Sequence, residues 1–101
     1  MITVVETWYL APEAARNAAK VMKEIDDIVG PIAHAHPGWC GHARFLQALN
    51  DPMRVSILYP WRSIEDHEHL TAQEEPHLER IFEEHCTQRR SFQYYTELPH
   101  P

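Results

Sequence analysis

Residues 2–10, ITVVETWYL, are β-branched and aromatic with weak alternation, and they predict a first strand. Ala11-Pro12-Glu13 then opens a helix, since proline suits a first turn and glutamate complements its positive end. Ala14, Ala18, Val21, Ile25, Ile28 and Ile32 recur at three- and four-residue spacing, which draws one apolar stripe along that helix. Gly30-Pro31 is expected to end or kink it, leaving His34-Ala35-His36 on a loop before a Pro37-Gly38 turn. Residues 39–49 predict a second strand and residues 54–59 a third, joined as an antiparallel hairpin by Asn50-Asp51-Pro52. Ser63 is placed to cap a second helix, with Asp66 three positions on. That helix should break near Glu75-Pro76 and resume to about Thr87, and residues 91–98 predict the last strand.

Strand, helix, strand, strand, helix, strand is the α+β ferredoxin-like βαββαβ order. It implies a four-stranded antiparallel sheet with two helices on one face. Strands one and four offer apolar residues at both alternations: Val4, Trp8 and Leu10 against Val5 and Tyr9, then Phe92 and Tyr94 against Tyr95. Helices can cover only one face, so the other predicts a partner sheet, and a homodimer is the simplest closed solution. Nothing marks a linker, repeat or low-complexity tract, and a single domain over residues 1–101 is expected.

Composition narrows the function classes. Net charge is −6 with histidines neutral, which argues against nucleic acid and against anionic membrane surfaces. No apolar run approaches the roughly 20 residues that span a bilayer, and no basic segment precedes Ile2 as a signal peptide requires. Cys40 and Cys86 make no disulfide framework, so a reducing compartment, the cytoplasm, is expected. The anomaly is histidine, the residue of proton transfer and metal ligation near neutral pH, of which there are eight.

Pro37-Gly38 entering strand two, the hairpin GHARFLQALNDPMRVSILY, Trp61-Arg62-Ser63 at the entry to helix two, Glu75-Pro76-His77-Leu78 at its break, and the final FQYYTEL together carry a resemblance. From Ile2 to Leu98 the chain resembles the dimeric α+β barrel proteins of the antibiotic biosynthesis monooxygenase type. That resemblance implies a pocket between sheet and helices in each subunit, and an oxygenase working on a phenol or quinol without an organic cofactor. Trp61 falls on the family's tryptophan. His67 falls where one oxygenase group places a tyrosine, and Ile57 where that group has an asparagine. The haem-degrading branch needs an asparagine, a tryptophan and a histidine where this chain has Thr7, Leu70 and Phe82 or a neighbour, which argues against haem degradation.

The candidate catalytic pair is His67 with Trp61: a buried imidazole could take the proton of a phenol and leave an electron-rich phenolate to meet oxygen. Thr7, Ile57, Leu78, Ile81, Phe82 and His85 are the candidate substrate contacts, with Trp61 also read as a core anchor and His85 as a core histidine. His69 lies two residues beyond His67, about 200° round a helix, and should be exposed. His34 and His36, followed by Cys40 and His42, offer the alternative of a transition-metal site. A dimeric binding module that holds a metabolite without catalysis is the third reading.

Overall fold

The computed structural model describes residues 1–101. It contains β1 (Ile2–Leu10), α1 (Pro12–Arg16), α2 (Ala18–Ala35), β2 (Arg44–Gln47), β3 (Arg54–Trp61), α3 (Ile64–Glu74), a 3₁₀ turn (Glu75–His77), α4 (Glu79–His85) and β4 (Cys86–Tyr95). The four strands form one antiparallel sheet in the order β2-β3-β1-β4, with the helices on one face. This is the ferredoxin-like α+β arrangement expected from the pattern.

Parity along β1 fixes which residues face the helices. Val4, Glu6, Trp8 and Leu10 are buried, while Thr3, Val5, Thr7 and Tyr9 between them stay partly exposed on the open face. Val55, Ile57 and Trp61 of β3 join them under the helices, as does Arg90 of β4. Two apolar clusters result. Trp8, Leu10, Val21, Ile25, Leu78, Ile81 and Phe82 belong to the larger one, and Val4, Trp61 and Leu70 form the smaller. Glu6 stands between Val4 and Trp8 on the same face, so the core is divided by a charged group.

The elements differ from the sequence expectations at their edges. The first helix is two pieces, because Asn17 takes a non-helical ψ of 35° between α1 and α2. Gly30-Pro31 does not end it, and α2 runs on to Ala35, so His34 is helical and His36 is its C-cap. Asp27 and Pro31 are both exposed, which leaves the carbonyl that proline cannot engage open to water.

The second strand is shorter than residues 39–49. Arg62 N–H reaches Gly38 O on this side of β3, so Pro60, two residues earlier, is the position that should have donated towards β2 and cannot. Pairing therefore stops at Arg44↔Leu58, apart from one isolated bridge between Trp39 and Trp61. β3 itself continues through Pro60 to Trp61. The last strand begins at Cys86 rather than at residue 91 and stops at Tyr95, because register shifts opposite Thr7–Leu10 let Cys86 pair with Leu10.

Ser63 caps α3 as expected: its Oγ accepts from Asp66 N–H at 3.1 Å and donates back to Asp66 Oδ2 at 2.9 Å. The break at Glu75-Pro76 is a single 3₁₀ turn. It sets two consecutive carboxylates, Glu74 and Glu75, within reach of one arginine on β4.

Candidate functional site

The alternation of β1 forces Glu6 inward, and the structure supplies three donors to it. Trp8 Nε1–H donates to Oε2 at 2.7 Å, Arg90 Nη1–H donates to the same oxygen at 3.0 Å, and the Tyr59 hydroxyl donates to Oε1 at 2.8 Å. Arg90, its side chain only 1% exposed, also meets Glu74 Oε1 at 3.1 Å and Glu75 Oε1 at 3.2 Å. One buried cation thus holds two buried carboxylates and a half-exposed third. Burial opposes the Arg90 charge, but Glu6, Glu74 and Glu75 outweigh it and raise the pKa further. For Glu74 the balance goes the other way: burial, against the pull of Arg90, pushes its carboxyl up to about 7.

A chain of hydrogen bonds leaves this cluster through His67. Its Nε2 lies 2.6 Å from Tyr59 Oη and its Nδ1 2.9 Å from Tyr94 Oη. His67 is fully buried, with Phe92 and Trp61 edge-on at ring-centroid distances of 5.0 and 6.0 Å. Burial lowers its pKa to about 4, so the ring is neutral at physiological pH. The same desolvation, followed by Glu6, pushes the Tyr59 hydroxyl far above its ordinary value.

Beside the cluster lies a cavity of about 180 Å³ between sheet and helices. Ile25, Val29 and Ala33 of α2 form one wall, and Ile57, Tyr59 and Trp61 of β3 form another. Glu6, Leu70 and Glu74 close a third side. Trp39 and His42 of the irregular segment before β2 flank the entrance with His34, the three rings standing edge-on within 6.0 Å. Trp61 is held by a close approach of backbone: a Cβ on Gly38 would collide with Trp61 Nε1, so only glycine fits there.

Of the residues singled out from sequence, Trp61 and Ile57 line this cavity. His67 does not. It sits behind Tyr59 with both nitrogens engaged. Thr7 lies on the open face of the sheet, paired with Ser56 and Ser91. Leu78, Ile81 and Phe82 belong to the larger apolar cluster, where Phe82 stacks on Trp8 at 5.2 Å, and none reaches the cavity. His85 is not a core histidine, because the end of α4 turns it towards Glu24 at 3.7 Å, with its side chain 27% exposed.

His34 and His36 point apart. His34 meets Trp39 and His42, whereas His36 accepts from Gly38 N–H at 2.9 Å and faces exposed His69 at 3.0 Å. No three histidine, cysteine or carboxylate side chains converge as metal ligands anywhere in the chain. Burial raises the Cys86 thiol to about 11, which leaves it a small apolar residue rather than a nucleophile.

No model of a known protein family matches the sequence, and no curated protein does either. Solved structures do. A protein of Bordetella bronchiseptica provisionally named an antibiotic biosynthesis monooxygenase superposes with a TM-score of 0.73 at 12% identity, covering 97% of each chain. A Nitrosomonas europaea protein of the same provisional name gives 0.69 at 14% identity over 98% of this chain and 100% of its own. A third, named an antibiotic biosynthesis monooxygenase outright, gives 0.69 at 16% identity over 98% and 100%. The fold is that of the antibiotic biosynthesis monooxygenases. At such identities the likeness is one of fold, and the chemistry must be argued from the residues of this chain.

Those residues are mostly ones the sequence reading passed over: Glu6, Tyr59, Glu74, Arg90 and Tyr94. One signal was available. Glu6 shares the parity of Val4, Trp8 and Leu10, and a lone charge on the buried side of a strand needs a partner.

Proposed function

We propose that the chain is a small oxygenase that binds a single-ring phenol or hydroquinone in the cavity and oxidises it with dioxygen, without an organic cofactor. The observation that carries this reading is Glu74, a carboxyl pushed to about 7 by burial, on the wall of a cavity that Ile25, Val29, Ala33, Ile57, Trp61 and Leu70 line together with Glu6, Asp26, His34 and His42. A base poised there is matched to taking the proton of a phenolic hydroxyl near neutral pH. Size supports the class of substrate: a cavity of about 150 Å³ accepts benzene, so one of about 180 Å³ suits one substituted ring. Tyr59 and Trp61 offer aromatic surface against that ring.

The reaction balances without an external reductant. Phenol and dioxygen give a quinone and water, with the substrate supplying all the electrons. Loss of the hydroxyl proton to Glu74 leaves a phenolate, whose ring carbon bonds to oxygen as a peroxide anion. Protonation gives a hydroperoxide, which loses the ring hydrogen and its outer oxygen as water. Named as monooxygenases, the fold neighbours are consistent with this class of reaction. The working form is proposed to be a homodimer built on the open sheet face, whose central positions Thr3, Val5, Thr7, Ser56, Leu58, Gln93 and Tyr95 carry no charge, with Arg44 and Arg54 at its rim.

An oxygen electrode with a panel of monocyclic phenols and hydroquinones tests the reading. Uptake should rise with pH through about 7 as Glu74 ionises. Glu74→Gln should cut turnover by roughly 10²–10⁴, the contribution of a positioned general base, and leave ligand affinity within a few fold. Binding without oxygen uptake across the panel would make the chain a metabolite-binding module instead.

A further inference from the structure

The His67 chain has a direction that its geometry fixes. Tyr59 carries one hydroxyl proton, and that proton is donated to Glu6 Oε1. The 2.6 Å contact between Tyr59 Oη and His67 Nε2 must then be a donation from the imidazole. A neutral ring with hydrogen on Nε2 has a bare Nδ1, which accepts from the Tyr94 hydroxyl at 2.9 Å. Every donor therefore points from Tyr94 towards Glu6. Tyr94 is partly exposed on β4, the edge strand, whereas Tyr59 and Glu6 line the cavity.

We infer that Tyr94, His67 and Tyr59 form a proton inlet, polarised inward at rest, from the protein surface to the Glu6 carboxylate at the cavity wall. Tyr59 passes its proton to Glu6 and takes the Nε2 proton of His67. His67 takes the Tyr94 proton at Nδ1, and water restores Tyr94. One proton has moved inward and no group in the chain is left charged. The chain now points outward with His67 protonated at Nδ1, until Glu6 gives its proton up to the cavity and the imidazole exchanges back to its Nε2–H form. Stepwise routes are closed, because a buried imidazolium and a buried phenolate are both strongly disfavoured here. His67 and Tyr94 touch nothing in the cavity and act through Tyr59, so they are positioning residues. The charged and titratable groups bearing on His67 are Glu6 of β1, Arg90 of β4 and His36 at the end of α2, in addition to its two tyrosine partners.

Use of this inlet in turnover rests on the oxygenase reading, which has the peroxide anion needing a proton after Glu74 has taken one away. The direction of the chain stands apart from it and is measurable in the absence of substrate. Nitrogen-15 NMR of labelled histidine, with His67→Asn to assign the resonances, should show His67 neutral and protonated at Nε2 from pH 6 to 8. A ring protonated at Nδ1, or one carrying a charge, overturns the inference.

Glu6→Gln sharpens the test. Trp8 Nε1 and Arg90 Nη1 both donate to the same oxygen, so the new amide must turn its carbonyl to them and its NH₂ to Tyr59. The whole chain should then reverse and His67 should switch to the Nδ1–H form, while an unchanged tautomer defeats the inlet. If that variant does not fold, Tyr94→Phe serves: removing the outer end should leave the Nε2–H form, since Glu6 sets the direction, and a switch to Nδ1–H refutes it. Absence of oxygen uptake with every phenol would remove the oxygenase reading and leave the tautomer results to decide the inlet.

Discussion

The two faces of the one sheet hold their charge differently. Under the helices lie Glu6, Glu74 and Arg90, all nearly inaccessible, beside Trp8 and Trp61. On the open face the same strands present Thr3, Val5, Thr7 and Tyr9, then Ser56 and Leu58, then Ser91, Gln93 and Tyr95, with a Tyr9–Ser91 hydroxyl contact at 2.7 Å and with Arg54 of β3 and Arg44 of β2 at the rim. A face built only for solubility would carry carboxylates and lysines, and a face built only for stability would not hide an arginine. Stability therefore does not account for the covered face, since replacing buried ions with apolar groups is often neutral or favourable. The covered face concentrates its charge in one buried cluster, whereas the open face keeps its centre uncharged and holds Arg44 and Arg54 at its rim, as the proposed partner sheet requires.

The comparison is most severely tested at Arg90. Arg90→Met leaves Glu6 and Glu74 buried without their cation and should cost about 3–5 kcal/mol in urea unfolding at pH 7.5. A loss under about 1 kcal/mol would mean that water reaches the cluster. Trp61→Ala should cost roughly as much, about 3–5 kcal/mol, because it empties the centre of the smaller apolar cluster.

Glu74→Gln separates the charge from its burial. An acid whose folded pKa is raised from 4.5 to about 7 contributes stability that is complete below about 4.5 and is lost as pH climbs through 7. The variant cannot lose it, so relative to the parent it should gain on the order of 3 kcal/mol between pH 4.5 and 8 while losing activity. A pH-independent difference between the two proteins would place Glu74 in solvent. The smallest effect on the fold, within roughly 0.5 kcal/mol, is expected for Val5→Lys at the centre of the open face. Light scattering should nonetheless show that variant at the 11.8 kDa of one chain and the parent at twice that. A parent that is itself monomeric would remove the partner sheet.

The order and type of the elements were legible because parity, proline and the Ser63 cap act locally, and each left its mark within a few residues. The site was less legible because it is assembled from parity relations that local irregularities disguise. Arg90 reads as lying just before a strand until the register shifts opposite Thr7–Leu10 are seen, after which it shares a face with Phe92 and Tyr94. Glu74 and Glu75 read as a polar helix end until the 3₁₀ turn brings both to Arg90. His67 was legible as a candidate for burial, but its partners were not, since Tyr59 and Tyr94 come from two strands that β1 separates. The histidine surplus proved a poor guide. Most of these rings lie at the surface or pair with one another, and only Glu6 announced the site in the alternation of β1.

The three tryptophans occupy three different surroundings. Trp8 and Trp61 are sealed from water, Trp8 donating to a carboxylate and Trp61 flanked by the His36 and His67 rings. Trp39, by contrast, is 36% exposed at the cavity entrance, edge-on to His34 and His42. The molecule thus carries its own optical probe. Iodide or acrylamide should quench the red-emitting Trp39 and spare the other two, and a ligand entering the cavity should shield that same indole, so occupancy can be read as light without any label.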